Sequence, residues 1–514
     1  MKRACGPLVQ FVACLALAIN ALAALAHEHG PAKDTVGGDV GVVHFANSGR
    51  PAAQASFLRG LALLHSFEYS AARKSFQDAE KIDPHFAMAV WGEALTYNHS
   101  LWNEQDTATA RTTLAKLGAT ADARVATGPT PRERDYLASI ERLYGTGEKA
   151  ARNAAYSAAL HDLSRKYPDD LDARALYSLS LLALSPIRSH ATYMRAAAEA
   201  EAVYDVDKRH PGGLHYMIHA YDDPVHAPLG LRAARLYAEV APAASHAQHM
   251  TTHIFFSLGL WDDAITANET SLKLSRAEGD RNYHSLLWLE YAYLQAGKRA
   301  PAAELVRSVG TDVAAGATKE NRLRLAYARA AWLVETRGAA DTHATEPVDS
   351  TGVASIGYFA VHDFARGIIA AQSGDLAAAR TSLATLRARC DSAHVQPPGE
   401  NPVWYDALTE SELAESRTLV TALDGVIRFY AGDHFAGLAL VRDAMAAASK
   451  FEFEYGPPWS AKPLDELLGE MLLADHREAE AADSFRTTLA GFPNRRLATE
   501  GLAAATNAIA GRQP

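Results

Sequence analysis

The chain has 514 residues, 48% of them apolar and 21% charged, with a formal net charge of −10 and a pI of about 6.1. That composition is globular and excludes a disordered chain. No basic face or stripe is present, so nucleic acid is not an expected partner. Alanine is abundant and β-branched alternation is scarce, which predicts an all-α protein.

Residues 1–26 have the pattern of an export signal. Lys2 and Arg3 supply positive charge, and an apolar run from Leu8 to Ile19 follows, broken only by Gln10. Ala24-Leu25-Ala26 then offers a small-x-small cleavage site, so the mature chain is expected to start at His27 in the periplasm or outside the cell. The run is too short for a comfortable membrane-spanning helix, and no later stretch is apolar for long enough to span a bilayer. Cys5 and Cys14 leave with the signal, which strands Cys390 and rules out an internal disulfide. Residues 27–50 are non-periodic and predict a flexible leader. Its first residues, His27-Glu28-His29, could chelate copper together with a free amino terminus.

Helical patterning starts near Pro51. Gly60, Tyr69, Ala72, Phe76, Ala79 and Pro84 follow at spacings of 9, 3, 4, 3 and 5. This resembles the tetratricopeptide consensus, in which small residues let paired helices approach, large ones fill the gap between repeats and proline ends the second helix. The grammar returns at Gly259–Ala264, at Gly297 with Ala302 and Ala303, at Gly374 with Ala379, and at Gly469, Ala481, Phe485 and Pro493. Residues 338–352 break it and predict a linker between an N-terminal array over 51–337 and a C-terminal array over 353–514. The expected architecture is an α-solenoid of antiparallel helix pairs with several degenerate repeats.

Longer stretches add to the likeness. Leu63-Leu64-His65-Ser66-Phe67, Ala87–Ala94, Asn98–Trp102, His215–Pro224, Ser245–Phe255 and Lys462–Glu470 resemble a family of large exported bacterial tetratricopeptide-repeat proteins. The resemblance covers most of the mature chain and implies an exported solenoid, with no defined activity.

Seven of the 21 histidines lie between His210 and His253. His215 and His219 are four apart, and His246, His249 and His253 are three and four apart, so each set shares one helix face. His215 to His249 and His219 to His253 are both 34 residues, the repeat length. With Gly259 at the turn, these residues take positions 2, 5 and 9 of their helices, which in the family fold face a concave groove. A four-residue insertion precedes the next repeat, where His284 takes position 2 and Tyr291 position 9.

Imidazoles from adjacent helices about 8–10 Å apart can converge on a transition metal such as zinc, copper or iron. The expected ligands are His215, His219, His246, His249 and His253. Asp222, Asp223, His226 and His284 are candidates for an extra ligand or an acceptor behind one, and His65 and Tyr291 for the same groove. The bland alternative is that the histidines bond to a peptide or to one another, and that Asp222-Asp223-Pro224 merely ends a helix. A zinc hydrolase is disfavoured, because Tyr216 stands where His-Glu-x-x-His needs its glutamate. Glu239, Glu269 and Glu290 are present in these repeats but cannot be placed from sequence. The function predicted is therefore a scaffold that binds a protein or peptide in a histidine-lined groove with a metal site. The alternative is a metalloenzyme.

Overall fold

The structure is a computed structural model, and it describes residues 37–184, 189–339, 343–395, 404–451 and 456–511. The export signal, the His27-Glu28-His29 start and the leader as far as residue 36 lie outside the described residues.

Among the described residues, 23 α-helices follow one another. The first pair is α1 (Gln54–His65) and α2 (Tyr69–Ile82). Next come α3 (Ala87–Leu95) and α4 (Thr107–Leu114), separated by a short ribbon pairing Asn98–His99 with Glu104–Gln105, and then the short α5 (Ala121–Ala126). Regular pairs continue as α6 (Pro131–Leu143) with α7 (Lys149–Lys166), and α8 (Leu171–Leu184) with α9 (His190–Val206). They run on through α10 (Pro211–Ala220) with α11 (Ala227–Val240), α12 (Ser245–Leu258) with α13 (Trp261–Glu278), and α14 (Tyr283–Gln295) with α15 (Arg299–Ala315). After α16 (Lys319–Thr336) come α17 (Gly357–Gln372) with α18 (Leu376–Asp391), and α19 (Glu410–Tyr430) with α20 (His434–Ala448). The chain ends with α21 (Leu464–Ala474), α22 (Glu478–Gly491) and α23 (Arg496–Ala510).

Each helix packs on the next, and alternate helices such as α8, α10 and α12 also touch. This is an all-α solenoid of tetratricopeptide type. Its small residues act as the spacing predicts: a Cβ at Gly60 or Gly92 would lie 2.9 or 2.4 Å from the Phe76 ring, so α1 and α3 can both close on α2. The stretch 338–352, expected to separate an N-terminal from a C-terminal array, lies between α16 and α17. α16 packs directly on α17, and the stacking runs on across it.

The solenoid is wound so tightly that its ends return to its middle. At the N-terminal side α1 touches α10, and the Ser66 Oγ accepts the Tyr237 hydroxyl at 3.1 Å. Ala243 donates its N–H to the Asp39 carbonyl at 2.9 Å. At the C-terminal side Trp261 Nε1 donates to the Asn494 carbonyl and Arg496 N to Gln295 Oε1, both at 2.9 Å. Tyr327 donates its hydroxyl to the Pro458 carbonyl at 2.6 Å. The core of these two closures is the inner face of α10, α12 and α14. No helix of the described residues is long and apolar enough to cross a membrane.

Candidate metal centre

The repeat register holds in three dimensions. His215 and His219 are residues 5 and 9 of α10, and His246, His249 and His253 are residues 2, 5 and 9 of α12. His284 is residue 2 of α14. These helices stack side by side, so one row of imidazoles runs across their inner face.

The open groove expected at that face is not there. All six rings are buried, His219 the most accessible at 9%. Phe67 covers one half of the row, with ring centroids 4.3, 5.8 and 5.5 Å from His215, His219 and His246. Trp102 adds a second ring 6.0 Å from His246. Trp288 covers the other half, 5.0, 4.5 and 5.3 Å from His249, His253 and His284. The backbone of Gly456 lies against Trp288: a Cβ there would sit 2.3 Å from the indole, and φ is +95°. His65 and Tyr291, expected to line the same open groove, are fully buried as well. The physical reason is the superhelix: repeats whose inner faces carry rings and apolar side chains bury more surface by winding shut than by leaving a trough.

Within this enclosure the histidines form two triads. One ligand nitrogen from each of His215, His219 and His246 lies within 4.8 Å of the other two, and His249, His253 and His284 do the same. Nε2 of His215 and Nε2 of His219 are 3.1 Å apart. Two nitrogens at that distance fit one shared proton. They also fit one shared ion, since bonds of about 2.0–2.1 Å would then open an angle of about 100° at the metal.

The second contacts of the rings decide which nitrogen faces inward. Nδ1 of His215 is 2.7 Å from the His65 carbonyl, which can only accept, so Nδ1 carries the hydrogen and Nε2 the lone pair. Nδ1 of His249 donates to Asn268 Oδ1 at 2.8 Å, and Nδ1 of His253 donates to Asp222 Oδ2 at 2.6 Å. Asp222 is held in turn by the Ser257 hydroxyl at 3.1 Å. Acceptors placed behind imidazoles in this way set tautomer and orientation in metal sites. Burial, reinforced at both rings by His253, pushes His215 and His249 down to about 3, so both rings are neutral, the form that donates a lone pair to a metal.

The remaining candidates divide. Asp222 is an acceptor behind His253, and His284 completes the second triad. Asp223 and His226 do not join the row. They form a separate group with exposed His190, and Asp223 Oδ1 accepts the N–H groups of Val225 and His226 at 2.9 Å, so Asp223 makes the turn. His65 belongs to a third cluster, with Nε2 2.9 Å from Asp172 and Nδ1 3.0 Å from the Tyr216 hydroxyl. Burial lowers the His65 pKa despite Asp172, and His210 also faces Asp172 at 3.3 Å. Tyr291 accepts from Arg495 at 2.5 Å at the C-terminal closure. Of the glutamates, Glu269 accepts from Tyr293, and Glu290 is fully buried with its carboxyl raised well above the usual range by desolvation.

Asn268, Phe67 and Trp288 were invisible to spacing arguments. Asn268 sits on α13, the outer helix of its pair, and nothing in a 34-residue period marks a residue that reaches inward from there. Phe67 carried one weak signal. It occupies the turn after α1 with φ +56°, where later turns use Gly259, Gly297, Gly374 and Gly432, all with positive φ. A phenylalanine held in the left-handed region costs roughly 1–2 kcal/mol, which marks a position chosen for its ring.

No protein-family profile matches the sequence, and no curated protein matches it significantly. Among solved structures, a human IFIT1 dimer with m7Gppp-AAAA superposes with a TM-score of 0.38 at 12% identity, over 91% of this chain and 92% of that one. Yeast Tom70 gives 0.31 at 11%, over 90% and 96%. A tetratricopeptide repeat protein from Parabacteroides merdae gives 0.25 at 12%, over 73% and 99%. Likenesses of this size carry no functional argument, and the fold assignment stands on the helix pairing above.

Proposed function

We propose that this protein is an exported helical-repeat protein whose closed core binds a transition metal through histidine. The observation that carries the reading is the set of fixed acceptors behind the row. His65 carbonyl, Asn268 and Asp222 accept from Nδ1 of three different rings and so fix how each ring is turned toward the row. Hydrogen bonding among histidines alone does not call for three unrelated acceptors from the end of α1, an outer helix and the turn after α10. Zinc, copper and iron all suit imidazole.

The test is metal content. The untagged mature protein should carry near-stoichiometric metal by plasma mass spectrometry. The His249→Ala/His253→Ala double variant should lose it while keeping its helical circular dichroism. A metal-free protein from metal-replete cells would sink the reading. Export is tested separately: amino-terminal sequencing of the extracytoplasmic protein should begin at His27.

A peptide-binding scaffold is the second reading, and solenoids do present extended surfaces to partners. A partner would dock on the outer helices, because the inner face at these histidines is closed. A protein partner retained by the His215→Ala/His249→Ala variant would place its surface away from the row. A metalloenzyme is the third reading, and Glu290, on the row's own α14, is fully buried with its carboxyl raised well above the usual range by desolvation.

A further inference from the structure

We propose that residues 37–50 are a bound peptide: an extended segment held in cis, in a site that takes a segment of the same pattern in trans once the resident one is loosened. The proposal is independent of the metal reading and stands without it.

The sequence predicts a flexible leader over residues 27–50, but the part from residue 37 onward is seated on the solenoid. It forms neither helix nor strand. Even so, Val40, Val43 and Phe45 are at most 4% exposed, while Val42 between them is 62% exposed. His44 and Ala46, on either side of Phe45, are exposed as well. Buried and exposed side chains that alternate along an extended backbone are the mark of a peptide read by a groove. Main-chain hydrogen bonds then give affinity, and pockets for alternate side chains give specificity.

Groups from distant helices hold the backbone. The Gly38 carbonyl accepts Arg59 Nη1 of α1 at 2.9 Å. The next carbonyl, of Asp39, accepts the N–H of Ala243, between α11 and α12, at 2.9 Å. Two consecutive residues therefore join the two sides of the N-terminal closure. Further along, Arg132 of α6 donates to the Ala46 carbonyl. Ser48 donates its N–H and its hydroxyl to Glu133 Oε1 at 2.8 and 2.7 Å, and Arg50 donates its N–H to Asp83 Oδ2 at 2.9 Å.

Phe45 is the anchor. Its ring centroid lies 5.5 Å from Phe57 of α1, 6.0 Å from Trp91 of α3 and 5.1 Å from Tyr136 of α6. The Arg132 guanidinium lies 4.1 Å from the same centroid. Three helices thus build one aromatic pocket, and a cation covers it. A buried aromatic ring ringed by polar contacts is the anatomy of a binding hot spot. Close backbone approach sets the ends of the ligand. A Cβ at Gly49 would lie 2.5 Å from the Phe86 ring, and Gly38 has φ +85° with Ala243 only 3.1 Å from where its Cβ would be. The ligand class is an extended peptide that carries glycine at the positions of Gly38 and Gly49, aliphatic side chains at those of Val40 and Val43, and an aromatic ring at that of Phe45.

The tether gives the resident segment an effective concentration of about a millimolar, so a free peptide at micromolar concentration cannot displace it from the parent protein. Loss of a hot-spot ring weakens binding roughly 100-fold, which lets the free peptide compete.

The test uses the full-length mature chain and, as probe, a fluorescein-labelled synthetic peptide of residues 37–50, followed by anisotropy. The peptide is expected to leave the parent unbound up to about 100 μM and to bind full-length Phe45→Ala saturably below that concentration. A peptide that itself carries Phe45→Ala should bind that variant at least roughly tenfold more weakly. Binding to neither protein, or equal binding to both, would overturn the proposal. Should Phe45→Ala fail to fold, Val43→Ser takes its place in the same titration. Hydrogen exchange of the parent is the second measurement: the Ser48 and Arg50 amides should be protected, and exchange as fast as in the free peptide would overturn the seating itself.

Discussion

At the N-terminal closure, Phe67 and Trp102 meet the histidine row through rings, Tyr69 packs on Trp102, and Glu68 adds one hydrogen bond from the His246 backbone. At the C-terminal closure the contact is ionic. Arg495, fully buried, bridges Glu335 and Glu466 at 2.6 Å each, and buried Lys462 reaches Glu466 and Glu470 at 2.7 and 2.6 Å. Burial would raise Glu466, but Arg495 and Lys462 more than offset it and hold that carboxyl down to about 2. Both closures bury the same face of the solenoid. The first depends on shape and the second on matched charge, so they should fail differently.

Four experiments sharpen that contrast. The largest effect is expected from Arg495→Met, which leaves Glu335, Glu466 and Lys462 buried without their partner. Breaking such a network costs about 3–5 kcal/mol. Denaturant unfolding should show that loss, and tryptophan fluorescence should shift to the red as Trp288 loses its cover. An unchanged midpoint would mean that the C-terminal repeats hold by packing alone. Next, Phe67→Ala removes a buried ring and should cost about 3 kcal/mol. The same measurement checks it, and a loss below about 1 kcal/mol would show that the ring is not what seals the first triad.

The third experiment is acidification of the metal-free protein. His215 and His249 titrate near 3 when folded and near 6.5 when unfolded, so below pH 6.5 only the unfolded chain takes up their protons. Their stabilisation is complete above that pH and is lost as the pH falls from 6.5 towards 3. The slope is up to about 1.4 kcal/mol per pH unit for each ring. Tm measured from pH 7 to 4.5 should fall, and it should fall less in His215→Phe. A flat profile would show that these rings are not buried in solution. The smallest effect compares Phe67→Gly with Phe67→Ala. Both lose the ring, but glycine accepts φ +56° without strain and should be the more stable by about 1 kcal/mol. Equal stabilities would mean that the turn relaxes.

Much of the site was legible before any coordinate. The i, i+4 spacing and the 34-residue repeat put His215, His219, His246, His249 and His253 on one inner face, and the helices begin where the count requires. His284 also took its expected position, because an insertion between repeats shifts chain length and leaves the position within the helix unchanged. Asp222 separated from Asp223 for a reason no spacing shows: one side chain turns back to α12 and the other closes its own loop. Glu290 and Asn268 were equally unreadable, since neither falls on the periodic face.

The sequence by itself determined the all-α solenoid, its repeat register and the row of imidazoles, because helix period and repeat length are local and translate directly into which residues share a face. Only the tertiary structure decided that the row is enclosed, that it splits into two triads, and which atoms stand behind each ring. Superhelical pitch is the sum of small packing angles between successive repeats, and contacts such as Phe67 on His215 or Arg495 on Tyr291 join residues about 150 to 200 positions apart. No periodicity along the chain encodes where such a winding brings its ends.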